Sequence, residues 1–190
     1  IQWSEGTLSA AIDSSAEPEA AYSRLAAAYT IVPIDNLDQL KKDKIELLFL
    51  AQSRAMAPAE LVALDKWVRA GGKVLILADP ALQWESSYPI GDVRRPLFTT
   101  MLTPLFTHWT LELVLPVDTG EDKTVTRSVD GQTIRTTTPG EWVPVSGDAG
   151  VKCELRAKSL LASCRVGSGK ALLLADADLI ATDYWSGTGV

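Results

Sequence analysis

Three aspartates stand where chemistry could be done. Asp79 ends the apolar run of "KVLILADP", and Asp176 and Asp178 close "KALLLADADLI". In a sheet layered with helices, ligands collect beyond the carboxyl ends of the strands, so these side chains are expected on one rim. Asp176 and Asp178 share a face if the strand continues, and oxygens from the three could hold Mg2+ or Ca2+. The simpler reading is structural. An Asp at a strand end caps the backbone N–H groups of the next element, and "DLIATDYW" reads as a helix capped in this way. Asp79-Pro80 is likewise a turn signal. No His or further carboxylate completes a shell, so capping is preferred and no metal ligand is assigned. Ser53, Asp79, Asp176 and Asp178 are the candidate ligand rim.

Other chemistries fit less well. "CRVGSGKALLLADAD" suggests a phosphate loop, which needs G-x-x-x-x-G-K-[ST] between a strand and a helix. Cys164 occupies the place of the first Gly, Ala171 that of the hydroxyl residue, and a strand follows Gly169-Lys170. Gly167-Ser168-Gly169 is therefore a turn. An activated nucleophile is expected on a sharp turn after a core strand. Ser53 in "FLAQSRAMAP" has roughly that location but lacks flanking glycines. The single histidine, His108 in "PLFTHWTL", could serve as a base, but it reads better as a partly buried histidine at a helix end. No spacing rule supports a Ser53–His108 dyad, and no catalytic residue is assigned.

The two cysteines lie in "VKCELRAKSLLASCRVG", which reads as a hairpin centred on Lys158-Ser159. That register sets Val151 against Val166, Cys153 against Cys164 and Leu155 against Ala162, leaving one face consistently apolar. Cys153 and Cys164 then lie opposite each other at a separation a disulfide can span. Two buried free thiols are the alternative. A bond would contribute about 2–4 kcal/mol and implies an oxidising compartment.

Several elements must position these residues. "DSSAEPEAAYSRLAAAY" predicts a helix, with cap-type serines and Pro18 in its first turn. "YTIVPID" predicts a short strand and "NLDQLKKD" a brief polar helix or turn. "IELLFLA" is a continuous apolar run of strand length, as in a parallel sheet buried on both faces. "APAELVALDKWVRAGG" opens on Pro58 at a first helical position. It carries Leu61, Leu64 and Val68 at helical spacing and stops at Gly71-Gly72. "KVLILADP" is the next strand. Beyond Pro80 the pattern changes to a loop, a helix over "LFTTMLTPLFTHW" bent or divided at Pro104, and a strand in "TLELVLPV". Then come a hairpin at Asp130-Gly131 and a loop or edge strand in "GEWVPVSGDAG". Trp67 is expected in the core. Trp84, Trp109, Trp142 and Trp185 would form a recognition surface if exposed together.

The order strand–helix–strand predicts an α/β fold with a doubly wound, mostly parallel sheet. A single domain over residues 1–190 would carry a β-rich insertion at about 81–150. Of 190 residues 46% are hydrophobic and 22% charged, as in a globular protein. The net charge of −6 disfavours nucleic acid and anionic membrane faces as partners. No apolar run approaches the roughly 20 residues that span a bilayer, and no signal peptide is visible. The opening "IQWSEG" lacks an initiator Met, which suggests an excised or processed fragment.

Taken together, "IELLFLA…APAELVALDKWVRAGGKVLILADP", "PLFTHWTLELVLPVD" and "CRVGSGKALLLADADLI" resemble a family. It is the extracytoplasmic domain of membrane proteins encoded with ABC transporters, the auxiliary type associated with gliding motility. The resemblance implies a fold similar to class I glutamine amidotransferases, flavodoxin-like in its layering, and to a domain of intraflagellar transport proteins. It implies a periplasmic location and a parent protein anchored in the membrane outside this segment. It also implies permease, ATPase or cell-envelope partners and no established catalysis or cofactor. The chain has no elbow cysteine and no Cys–His–Glu set. The expected function is thus a non-catalytic binding or scaffolding domain. The alternatives are an amidotransferase-like or hydrolytic enzyme built on Ser53 and His108 or on the aspartates, and a small-molecule or sugar-binding domain.

Overall fold

The computed structural model describes residues 20–42, 44–84, 86, 88–92, 94–115, 124–129 and 131–180. Among the described residues two short helices come first, α1 (Ala20–Ala28) and α2 (Gln39–Lys42). The first strand, β1 (Leu47–Ala51), leads to α3 (Pro58–Arg69) and then β2 (Lys73–Leu77). Pro58 starts α3 and the Glu60 carboxylate accepts from the Ala57 N–H at 2.8 Å, so the first turn is held without a hydroxyl cap. Leu64 and Val68 are fully buried, each contributing about 1.5–3 kcal/mol. The helix ends as the glycines require. Gly71 takes φ +114°, and a Cβ on Gly72 would come within 2.5 Å of the Trp67 ring.

The remaining elements are α4 (Thr103–His108), β3 (Leu111–Val114), β4 (Thr124–Val129), β5 (Gln132–Thr137) and β6 (Glu141–Pro144). After them come β7 (Val151–Arg156), β8 (Leu161–Val166), β9 (Gly169–Leu174) and a 3-10 turn at Asp178–Ile180. The main sheet has the order β1-β2-β9-β8-β7. Side chains in register form rows across it: Leu48, Val74, Ala171, Cys164 and Cys153 in one, Leu50, Ile76, Leu173, Ala162 and Leu155 in the next. These rows carry most of the buried apolar residues of the sheet. Two two-stranded sheets, β3-β6 and β4-β5, lie between β2 and β7 in sequence.

This corrects the expected doubly wound, mostly parallel, amidotransferase-like α/β sheet. Only β1-β2 and β2-β9 run parallel, while β9-β8 and β8-β7 are antiparallel. The described residues hold nine strands against four short α-helices, so this part of the chain is mostly β, with one mixed sheet. The physical reason is that a parallel neighbour needs a crossover connection of about a dozen residues or more, usually a helix. Such a helix, α3, stands between β1 and β2, whereas β8 and β9 meet through the tight turn at Gly167-Ser168.

Smaller expectations also shift. Residues 30–34 form no strand. Pro104 stands in the first turn of α4 instead of dividing a longer helix, because its missing N–H costs nothing there. The hairpin of β4 and β5 pairs Val129 with Gln132, and Gly131 takes φ +83°. Asp130, the predicted cap with Pro18, Trp185 and the "ATDYW" part of the last predicted helix lie outside the described residues.

Candidate functional site

Parallel pairing of β1, β2 and β9 brings their carboxyl ends to one edge of the sheet, with Ser53, Asp79 and Asp176 just beyond. The ladder runs on past the strands, as Gln52 N–H donates to Leu77 O and Ala78 N–H to Leu174 O, both at 2.9 Å. One carboxylate oxygen from each of Asp79, Asp176 and Asp178 lies within 4.8 Å of the others. Asp79 and Asp176 are fully buried and Asp178 is 2% exposed.

Capping accounts for part of this arrangement. Asp79 accepts from Ala81 N–H at 2.7 Å through Oδ1 and from Ala177 N–H at 3.0 Å through Oδ2. Asp176 Oδ1 accepts from Leu179 N–H at 3.1 Å, and Asp178 Oδ1 from Gln83 N–H at 3.1 Å. Asp176 Oδ2 and Asp178 Oδ2 have no hydrogen-bond partner. Burial pushes the Asp176 carboxyl up to about 8 and Asp178 up to about 7, and the neighbouring carboxylates add to both shifts. Burial raises Asp79 as well, against the backbone donors. No described Lys or Arg contributes to these shifts.

Two residues that sequence reasoning missed complete the site. Gln52, buried with φ +40°, accepts from Asp79 N–H at 3.0 Å and donates from Nε2 to Leu97 O at 2.8 Å and Asp79 O at 3.2 Å. A polar amide directly after an apolar strand was the only signal for it. Thr136, fully buried on β5, stands against Asp176 and eases its charge, yet its hydroxyl closes no well-formed hydrogen bond. Nothing in "TIRTTT" marks it, because the contact arises only when the segment after β5 folds over β9, where Gly140 N–H donates to Ala175 O at 2.7 Å.

The Ser53–His108 pair of the alternative enzyme reading is not assembled. Ser53 is 4% exposed and its Oγ has no hydrogen-bond partner. His108 is exposed, not partly buried, at the end of α4, where Nε2 lies 3.1 Å from Arg69 and 3.8 Å from Asp65. Ser53 precedes α3 and Arg69 ends it, so about 18 Å of helix separates the two ends. Nor do the described tryptophans form a surface. Trp109 and Trp142 are buried, Trp142 packing edge-on against Phe106 with centroids 4.9 Å apart, and Trp67 and Trp84 are half-buried. Cys153 and Cys164 are joined by a disulfide in the register the hairpin predicts.

Residues 4–115 match the family described as "ABC-type uncharacterized transport system". The chain belongs to that family. Its members are an auxiliary component of an ABC-type transport system, and association with such a system is what membership implies for this chain. None of the curated proteins matches it.

Among solved structures, the family member is similar in fold to the exo-beta-1,4-mannosidase Op5Man5 from Opitutaceae bacterium strain TAV5. The TM-score is 0.55 at 15% identity, over 88% of this chain and 27% of that one. It is also similar to the mmIFT52 N-terminal domain, with TM-score 0.56 at 17% identity, over 87% of this chain and 81% of that domain. A cold-adapted beta-galactosidase from Rahnella sp. R3 gives 0.50 at 14%, over 86% and 25%. The chain thus spans about a quarter of the two glycosidases. These likenesses concern fold alone, and they place the chain with glycosidase-type and mmIFT52 domains in place of the expected amidotransferases.

Proposed function

We propose that this family member is a non-catalytic extracytoplasmic domain of the gliding-motility-associated type. It binds or scaffolds for a membrane protein that assembles with the permease and ATPase subunits of an ABC transport system. The observation that carries the reading is the burial of the strand-end rim. Asp79 and Asp176 are fully buried, and Asp178 and Ser53 are 2% and 4% exposed. General acid–base or nucleophilic work needs the reacting atom within hydrogen-bond reach of the side chain, roughly 3 Å, and these groups face other parts of the chain. The disulfide supports an oxidising compartment, hence the periplasmic side of the membrane. No helix among the described residues is long and apolar enough to cross a membrane, and the proposed anchor belongs to the parent protein outside this segment.

The test is affinity purification of the full-length parent protein from membranes. The ATPase and permease should co-purify, and deleting this domain should lower their recovery while the parent stays membrane-bound. Failure of both subunits to co-purify, or amide or ester turnover abolished by replacing one rim side chain, would overturn the proposal.

A further inference from the structure

The caps occupy four carboxylate oxygens at the rim: both of Asp79, Oδ1 of Asp176 and Oδ1 of Asp178. The two left over, Asp176 Oδ2 and Asp178 Oδ2, are buried without a partner. A buried acceptor left unmade is costly, more so when charged. Thr136 brings a further polar atom to the same point. It arrives from a different sheet, is fully buried and faces the Asp176 carboxyl, whose charge it eases, yet its Oγ1 closes no well-formed hydrogen bond there. Capping alone explains neither the spare oxygens nor the spare hydroxyl.

We infer that Asp79, Asp176 and Asp178 bind one hard divalent cation of the Ca2+ type, with the Thr136 hydroxyl as a further oxygen ligand. The ligand set is all oxygen, which selects such ions over those that favour His or Cys. Ca2+ holds its ligands at about 2.3–2.6 Å, so two oxygens on one ion can stand up to roughly 5 Å apart. The carboxylate oxygens lie within 4.8 Å of one another. A dication offsets two of the three negative charges. It also joins the ends of β2 and β9 to β5, so its role is to fasten the segment between β2 and β7 onto the main sheet. This goes beyond the proposed scaffolding role and does not depend on it.

The competing account is that the carboxylates hold protons and no metal. To separate them, the chain is refolded from denaturant at pH 7.5 in EGTA, in CaCl2 alone or in MgCl2 alone, because a closed site fills most readily during folding. The inference expects one bound ion per chain after desalting, by elemental analysis, and a melting temperature about 5 °C above the EGTA sample in at least one of the two salts. Asp176→Asn and Asp178→Asn retain the cap acceptors, so they should fold, with apparent affinity lowered about 10-fold or more. Thr136→Val should lower it less. A measurement independent of any variant is the amide NMR spectrum of the wild-type chain. Shifts between the EGTA and metal samples should centre on Ala81, Gln83, Ala177 and Leu179. No bound ion and no melting shift in either salt would overturn the inference, as would affinity unchanged in both Asn variants, or shifts centred elsewhere.

Discussion

At the scale of residues, two polar clusters work in opposite ways. Around the rim, carboxylates crowd one another. At the far end of α3, Asp65 is surrounded by donors: Arg69 Nε at 2.7 Å and Trp109 Nε1 at 2.7 Å, with Arg69 also paired to Asp148 at 2.9 Å. Burial acts to raise the Asp65 carboxyl, but the hydrogen bonds from Arg69 and Trp109 and the nearby positive charge outweigh it, and the net shift is downward. A depressed carboxyl contributes stability above its unfolded value, about 3.9, and that contribution fades as pH falls through its lower folded value. Asp65→Asn keeps an acceptor for Trp109 and removes the charge. It should cost about 1 kcal/mol at pH 7, and the melting-temperature gap between wild type and variant should narrow progressively as pH falls from about 5 toward and through the depressed folded value. A constant gap across that range would contradict the assignment. The aspartates of the rim were legible from sequence because Asp79 and Asp176 directly follow buried apolar runs and Asp178 comes two residues later. Gln52 and Thr136 were not, since their roles depend on a backbone turn and on a contact between distant segments.

At the scale of elements, close backbone approach sets the limits. β9 begins against the end of α3, where a Cβ on Gly169 would come 2.4 Å from Gly72 O and closer still to Val68 O. The obstacle is backbone, which cannot swing aside as a side chain can. Gly169→Ala should therefore destabilise by about 3 kcal/mol, read as a lower urea midpoint with little change in slope. A variant as stable as wild type would mean α3 and β9 do not meet in this way. This contact was invisible in "GSGK", which reads only as a turn. The spans of β1, α3, β2 and β9 were legible, because apolar runs and a 3.6-residue stripe report burial directly. The cysteine hairpin was legible down to its register, because side chains alternate with period two. Strand direction was not. An apolar strand looks the same whether its neighbour runs parallel or antiparallel, so the strand–helix–strand opening was carried too far and the mixed sheet was missed.

At the scale of the whole molecule, one mixed sheet buries its polar strand-end residues and is cross-linked at its far side by Cys153–Cys164. Membership of the transport family followed from segments spread along the chain, whereas the amidotransferase fold inferred with it did not hold. The central claim is that this sheet stands outside the cytoplasmic membrane as a binding or scaffolding domain. Its most direct test is thiol trapping in intact cells expressing the full-length parent protein, combined with protease added to spheroplasts. The account predicts that Cys153 and Cys164 resist alkylation until reduced and that the added protease reaches the domain while cytoplasmic proteins remain intact. Freely alkylated thiols in a domain cut only after the membrane is broken would contradict it.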